Sequence, residues 1–268
     1  MQTDQPFISV VTISYNDKEA LEQTIQSVIL QTYDNMEYIV IDGGSTDGTV
    51  EVIKRYQSRI EHWVSEEDRG ISDAFNKGIL QAKDGGYILM LNAGDTFLLE
   101  ESLSSIAEYL DEEIVSFQIK TPRGLVLPRQ YSFANALKEN DLTALLNYIE
   151  SAHLFHQATF VKKSVYLEVG MYDLSYKIRM DLDFLLRAIK EHRVKFVKKP
   201  VVLYLTDGIS SQLSNRLRFK LEEKRAVCAL VKEKCTLYKL YFYTMLPFYL
   251  MKKTLSALKY AVADRKNR

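Results

Sequence analysis

The chain has 268 residues, 47% of them hydrophobic and 26% charged, which suffices for a sizeable core and is unlike a disordered or collagen-like composition. Its 35 lysines and arginines balance 35 aspartates and glutamates, so net charge does not indicate a uniformly basic nucleic-acid binder. The balance is the sum of unlike parts: residues 1–214 hold 21 basic and 31 acidic side chains, whereas residues 215–268 hold 14 basic and 4 acidic ones. The two cysteines, Cys228 and Cys235, have neither metal-ligand spacing nor a disulfide-framework pattern. Met1 to Ser14 lacks the basic start and apolar stretch of a signal peptide. Both features lead to the expectation of a reducing cytoplasm.

Taken in chain order, Ile8–Ser14 reads as a buried strand. Asn16, with Glu19 three residues on, predicts a capping box opening a helix whose Leu21, Ile25, Val28 and Ile29 share a face. Met36–Asp42 is the next strand, and GGSTDG turns into a helix carrying Val50 and Ile53. A strand over Ile60–Val64, a helix over Ile71–Ala82 and a strand over Tyr87–Leu91 follow. Short strands separated by helices of this length predict right-handed crossovers and an α/β fold with a mainly parallel sheet flanked by helices. Beyond it, Leu103, Ile106 and Leu110 predict a helix, and IVSFQIK and LVL two strands, without assignable chemistry. Residues 180–192 carry Leu182, Leu185, Leu186 and Ile189 at helical spacing, and a basic helix is expected over 213–234.

In such sheets ligands sit beyond the carboxyl ends of the strands, where this sequence concentrates polar groups. Ser14, Tyr15 and Asn16 follow the first strand, Asp42 to Asp47 the second, and Asn92, Gly94 and Asp95 the fourth. Each cluster alone could simply make a turn. No phosphate-binding P-loop and no dinucleotide G-x-G-x-x-G is present, so a nucleotide would need carboxylates and a metal rather than a glycine cradle.

The segments SVVTISYN, VIDGGSTDGT, SEEDRGISDAFNKGI and LMLNAGD, in this order and spacing, resemble the donor-binding half of the family 2 inverting glycosyltransferases of the GT-A fold. The resemblance is dense over residues 7–97 and continues more loosely to about 211. It implies a GT-A domain over 1–214, with a donor half to 97 and an acceptor half after it, and a nucleotide-diphospho-sugar donor. It also implies a divalent metal, Mn²⁺ or Mg²⁺, and transfer to an acceptor hydroxyl with inversion. Ser14, Asn16, Asp42, Asp68, Arg69, Asp73, Asn76, Asn92 and Asp95 are then the donor-binding candidates. Asp42 can accept from the imide N–H of a uracil, which favours a uridine donor, although Gly43 stands where many relatives have a second aspartate. Asp95 is the metal-ligand candidate, and Asn92, replacing the usual first aspartate of the metal motif, suits ribose hydroxyls better.

The inverting reaction needs a carboxylate to take the acceptor proton. Asp181 is the candidate base: relatives carry an acidic pair followed six residues later by arginine, and Asp181 to Arg187 reproduces that separation. Asp183 and His156 are weaker acceptor-side candidates, and His153 could line the same pocket. Residues 215–268 are expected to form a basic helical tail. Its uncharged, tyrosine-rich stretch 240–251 is too short to span a bilayer, which needs about 20 residues, but fits the interface of an anionic membrane. Completion of the core or a homodimer contact is the alternative role for the tail. The expected protein works at the cytoplasmic face of the membrane, adds one sugar per saccharide or lipid-linked saccharide acceptor, and takes no nucleic acid. A nucleotidylyltransferase, whose G-x-G-T-R loop is absent, and a non-catalytic nucleotide-sugar-binding scaffold are the other readings.

Overall fold

In the computed structural model the described residues are 5–122, 124–126, 154–204, 213–231, 236 and 238–247. The chain forms two compact units, residues 1–206 and 207–268. His153, the Gly208-Ile209-Ser210 segment and the end of the tyrosine-rich stretch lie outside the described residues.

The first unit begins with three helical crossovers. Strand β1 (Ile8–Ser14) leads through helix α1 (Lys18–Ile29) to β2 (Met36–Asp42), then through α2 (Thr49–Tyr56) to β3 (His62–Ser65), and through α3 (Ile71–Gln81) to β4 (Tyr87–Met90). These four strands are parallel and lie in the order β3-β2-β1-β4. The chain therefore leaves β1 on both sides, which makes the carboxyl end of β1 the switch point of the sheet. The apolar runs of β1, β2 and β4 are buried on both faces, as parallel strands under two helical layers must be. On one face Val10, Val40 and Leu89 meet Leu21 and Ile25 of α1 and Ile53 of α2. On the other, α3 lies so close to β1 that a Cβ at Gly78 would overlap the Val11 side chain.

The second half of the sheet is mixed. After β5 (Thr96–Phe97) come β6 (Ile114–Thr121), β7 (Gly124–Val126), β8 (Thr159–Lys162), helices α4 (Lys163–Val169) and α5 (Met180–Glu191), and β9 (Val194–Leu203). The full order is β3-β2-β1-β4-β8-β6-β9-β5, with β7 on β6. Strand β8 runs antiparallel to both β4 and β6, whereas β9 is parallel to β6. Six strands thus share one direction, and the mainly parallel α/β expectation holds.

Three local expectations change. Helix α1 is capped by Asp17, whose carboxylate accepts from the Ala20 amide at 3.4 Å, rather than by Asn16. Asn16 instead takes a left-handed backbone (φ 50), which asparagine tolerates better than most residues. Leu103, Ile106 and Leu110 are buried but sit on successive turns ending in a short 3-10 segment, Ala107–Tyr109, so periodic burial here does not make an α-helix. In the second unit, helix α6 is Arg216–Val231 and its Cys228 is disulfide-bonded, so the cysteines no longer argue for a reducing compartment.

Candidate active site

The loops that follow β1 and β2 are bound to each other. The Gly43 amide donates to Ser14 O at 2.9 Å, Asn16 Oδ1 accepts from the Thr46 amide at 2.8 Å, and Ser45 Oγ accepts from the Asn16 amide at 2.7 Å. The left-handed backbone at Asn16 turns the chain so that its amide and side chain both face the β2 loop. Within that loop Asp42 is fully buried. Its Oδ2 accepts from the Gly44 amide at 3.2 Å, the Ser45 amide at 2.9 Å and Ser65 Oγ at 2.6 Å, and its Oδ1 from Ser45 Oγ at 2.5 Å. Asp42 therefore orders the turn, and of its two oxygens only Oδ1 has a single partner. Ser14 Oγ, next to it on β1, is buried with no hydrogen-bond partner.

Gly43 has a specific neighbour here. A Cβ built on it would stand 2.6 Å from Asp68 Oδ2 and 3.2 Å from the Tyr15 ring. The carboxylate of Asp68 thus reaches the space that a second aspartate would enter, while its Oδ1 accepts from the Gly70 amide at 2.8 Å.

Helix α3 starts after Gly70, whose φ of 113 is one that side-chain-bearing residues avoid. Asp73 in its first turn accepts from the Arg69 amide at 3.1 Å and from Arg69 Nη2 at 2.9 Å. The hydrogen bond from the Arg69 guanidinium, opposed by partial burial and helped by the nearby Lys77 charge, holds the Asp73 carboxyl below its ordinary range. Asn76 is used differently from the donor contact expected of it. Its side chain clamps the Tyr172 backbone, donating to Tyr172 O at 2.9 Å and accepting from the Tyr172 amide at 3.0 Å. Ser72 Oγ to Tyr176 O (3.1 Å) and Lys177 Nζ to Arg69 O (2.9 Å) fasten the same 170–179 loop to α3.

That loop delivers helix α5 to the end of β4. An aromatic cluster holds the two helices together: Tyr166 stacks on Phe184 with centroids 4.3 Å apart, and Tyr172 packs on both Phe184 and Phe75. Phe75 then meets the edge of the His156 ring at 5.8 Å. The two acidic residues of α5 diverge from here, because positions two apart on a helix face different ways. Asp183 is buried and paired with Arg187 Nε at 3.1 Å, and that guanidinium also donates to the carbonyls of Val169, Gly170 and Met171. Asp183 and Arg187 therefore close the carboxyl end of α4.

Asp181 faces the other way. Its Oδ2 lies 3.5 Å from His156 Nδ1, and its Oδ1 accepts from the Leu182 amide at 2.8 Å. Burial pushes this carboxyl up, but the hydrogen bond from His156 and the Arg179 charge outweigh it and bring the pKa down to about 2. On its far side the His156 ring meets Asn92, with Nε2 3.2 Å from Nδ2, while Asn92 Oδ1 is buried without a partner among the described residues. Asn92, His156 and Asp181 thus form a chain from the end of β4 to the start of α5. The sequence offered His156 only as one of two histidines; the connection requires β8, the 3-10 turn His156–Ala158 and α5 to be placed around β4.

Asp95 is buried, its amide donates to Asn92 O at 2.9 Å, and its carbonyl accepts from Thr24 Oγ1 at 2.8 Å. Among the described residues no three acidic, histidine or cysteine side chains gather as a metal cluster. A single carboxylate fits an Mg²⁺- or Mn²⁺-like ion only if diphosphate and water supply the other oxygens, as such ions accept.

Acid and amide groups at the carboxyl ends of β1, β2 and β4 and at the start of α5, on a GT-A-like α/β sheet, define the class of protein: a glycosyltransferase. Residues 9–170 match the model of glycosyl transferase family 2, and the chain belongs to that family. It is 33% identical over 195 residues to an uncharacterized glycosyltransferase of Mycobacterium tuberculosis, covering 69% of this chain and 70% of that one. It is 28% identical over 187 residues to a PGL/p-HBAD biosynthesis glycosyltransferase of Mycobacterium bovis, covering 68% and 69%. Its fold is shared with Staphylococcus aureus TarS 1-349 in complex with UDP-GlcNAc, at TM-score 0.63 and 16% identity over 83% of this chain and 66% of that chain. It is likewise shared with a Pyrobaculum calidifontis mannosyltransferase in complex with GDP-Man and Mn²⁺, at TM-score 0.66 and 18% identity over 97% and 76%.

Proposed function

We propose that this enzyme moves one sugar from a UDP-sugar to an acceptor hydroxyl with inversion, during assembly of a surface polysaccharide or glycolipid. The observation that carries the reading is the position of Asp181: its carboxylate stands against the β4 end through His156, whereas Asp183 is consumed by Arg187. Asp181 then takes the acceptor proton as the acceptor oxygen attacks the anomeric carbon. Asp42 receives the uracil imide on its less occupied Oδ1, with Ser45 Oγ turning aside. Ser14 Oγ and Asn92 Oδ1, both buried acceptors without partners, are satisfied by donor hydroxyls. Asn16, Asp68, Arg69, Asp73 and Asn76 shape the donor cleft, with Asn76 acting through the Tyr172 loop. Asp95 holds the divalent ion against the diphosphate, and the ion, when bound, neutralises charge on the leaving nucleoside diphosphate. A UDP-bound and a GDP-bound neighbour share the fold, so the base is tested directly: UDP-, GDP- and dTDP-sugars with Mn²⁺ are screened by thermal stabilisation and nucleoside diphosphate release. A UDP-sugar should give the largest effect, EDTA should abolish turnover, and Asp95→Ala should weaken metal binding and lose turnover with it. Full activity after chelation, or a GDP-sugar as the preferred donor, overturns the corresponding assignment.

We further propose that residues 215–268 hold the enzyme on an anionic membrane surface, at the cytoplasmic face. Leu217 and Leu221 of α6, one turn apart, are exposed, as are Leu240, Tyr243 and Met245 of the helical segment 238–247, on a part of the chain with 14 basic and 4 acidic residues. Among the described residues no helix is long and apolar enough to cross a membrane.

A further inference from the structure

We propose that His156 positions the Asp181 carboxylate for the acceptor hydroxyl, and that the Asn92 amide decides which ring nitrogen carries the proton that does so. This deepens the reading of Asp181 as the base and rests on it. Among the described residues, each Asp181 oxygen has one contact, His156 Nδ1 at 3.5 Å on Oδ2 and the Leu182 amide at 2.8 Å on Oδ1. Together they fix the plane of the carboxylate and leave lone pairs on both oxygens for the acceptor O–H.

Asn92 makes this work in the neutral imidazole. With Nδ2 turned to His156, the amide donates to Nε2 at 3.2 Å, so the single ring proton sits on Nδ1 and points at Asp181. The same rotamer leaves Oδ1 buried and without a partner, at the strand end where the donor ribose is proposed to lie. A ribose hydroxyl donating to Oδ1 satisfies it and locks the amide against turning over. Donor binding thereby fixes the tautomer that orients the base. An aspartate at position 92 could only accept, which would place a proton on Nε2 as well and set an imidazolium against Asp181. The asparagine therefore spares Asp181 a further positive charge beside it, which would weaken it as a proton acceptor. In the transfer itself the acceptor oxygen–carbon bond forms, the carbon–oxygen bond to the diphosphate breaks with its electron pair leaving on the nucleoside diphosphate, and the acceptor proton passes to Asp181.

The groups around this chain come from every packed element. Phe75 of α3 packs on the ring, Asn92 lies on Nε2 and Asp181 on Nδ1; the Arg179 charge acts on Asp181, whose own charge in turn adds to the burial that raises the Tyr172 hydroxyl. The tautomer is read by ¹⁵N-resolved histidine spectra of the full chain, with His156 assigned by its loss in His156→Asn. We expect an Nδ1–H ring in the wild type, reinforced by UDP with Mn²⁺, and loss of that tautomer in Asn92→Asp. An Nε2–H ring in the wild type, or an unchanged ring spectrum in Asn92→Asp, overturns the proposal without any activity measurement. In UDP release from a UDP-sugar, His156→Ala should lower kcat about 10- to 100-fold with donor KM within about twofold and a displaced acid limb of the pH profile. His156→Asn, which returns an N–H near the Nδ1 position, should recover part of it. Equal losses in both variants with an unmoved pH profile assign His156 a merely structural role. A fully active Asp181→Asn would remove the base reading itself while leaving the tautomer result intact, so the two failures are distinguishable.

Discussion

At the scale of single residues, the two acids of α5 illustrate how partners divide labour between identical side chains. Asp181→Asn should reduce kcat by about 10²- to 10⁴-fold in single-turnover transfer, the usual contribution of a positioned base, with donor affinity nearly unchanged. Asp183→Asn should act on stability instead, because it leaves the Arg187 guanidinium, which holds three carbonyls, short of its counter-charge. Breaking a largely buried pair from one side costs on the order of 3 kcal/mol, so thermal unfolding should drop by roughly 6–12 °C while the folded fraction turns over. An active Asp181→Asn beside a folded but dead Asp183→Asn would move the base role to Asp183. The carboxyl of Asp181, held at about 2, also sets an acid dependence. Because its folded-state pKa lies below the unfolded value of about 4, its stabilising contribution is present above that value and is lost as pH falls toward about 2. Acid unfolding followed by circular dichroism should therefore show a weaker pH dependence in that window for Asp181→Asn.

At the scale of elements, the approach of α3 to β1 fixes where the cleft opens. Gly78 allows that approach, since any Cβ would overlap Val11. Alanine gains about 1 kcal/mol of helix propensity over glycine, but overpacking costs about 1–3 kcal/mol, and a β-branched valine on a buried strand has few ways to give. Gly78→Ala should thus lower the denaturation midpoint with an unchanged dependence on denaturant, as measured by urea titration. If stability rose, the helix–strand contact would be looser than described. Asn76 works on the same helix through the Tyr172 loop, so a side chain expected to touch the donor instead secures the loop that delivers α5.

At the scale of the whole molecule, the charge asymmetry separates a net-acidic catalytic part from a basic tail. Anionic vesicles should retain the full-length chain better than neutral ones, and added salt should release it, because exposed charges are screened over about 8 Å at physiological ionic strength. Equal retention by both vesicle types removes the electrostatic part of the proposal, and no retention with a dimeric mass in solution favours the alternative of a tail-mediated homodimer.

The sequence by itself determined the first hundred residues. Continuous apolar runs in Ile8–Ser14 and Met36–Asp42 can be buried only as parallel strands under helices, and the polar groups at their ends mark the cleft, because both signals are local and periodic. Asp42, Asn92 and Asp95 are candidates for the same reason, each standing at or just beyond a strand end. The tertiary structure decided the rest. Whether Leu103, Ile106 and Leu110 lie on a helix or on stacked turns depends on what they pack against, not on their spacing. The antiparallel insertion of β8 between β4 and β6 brings His156 beside Asn92, 64 residues away along the chain, and aromatic packing around Phe184 turns Asp181 toward it. Such contacts arise from packing between elements distant in sequence, and no local pattern encodes them.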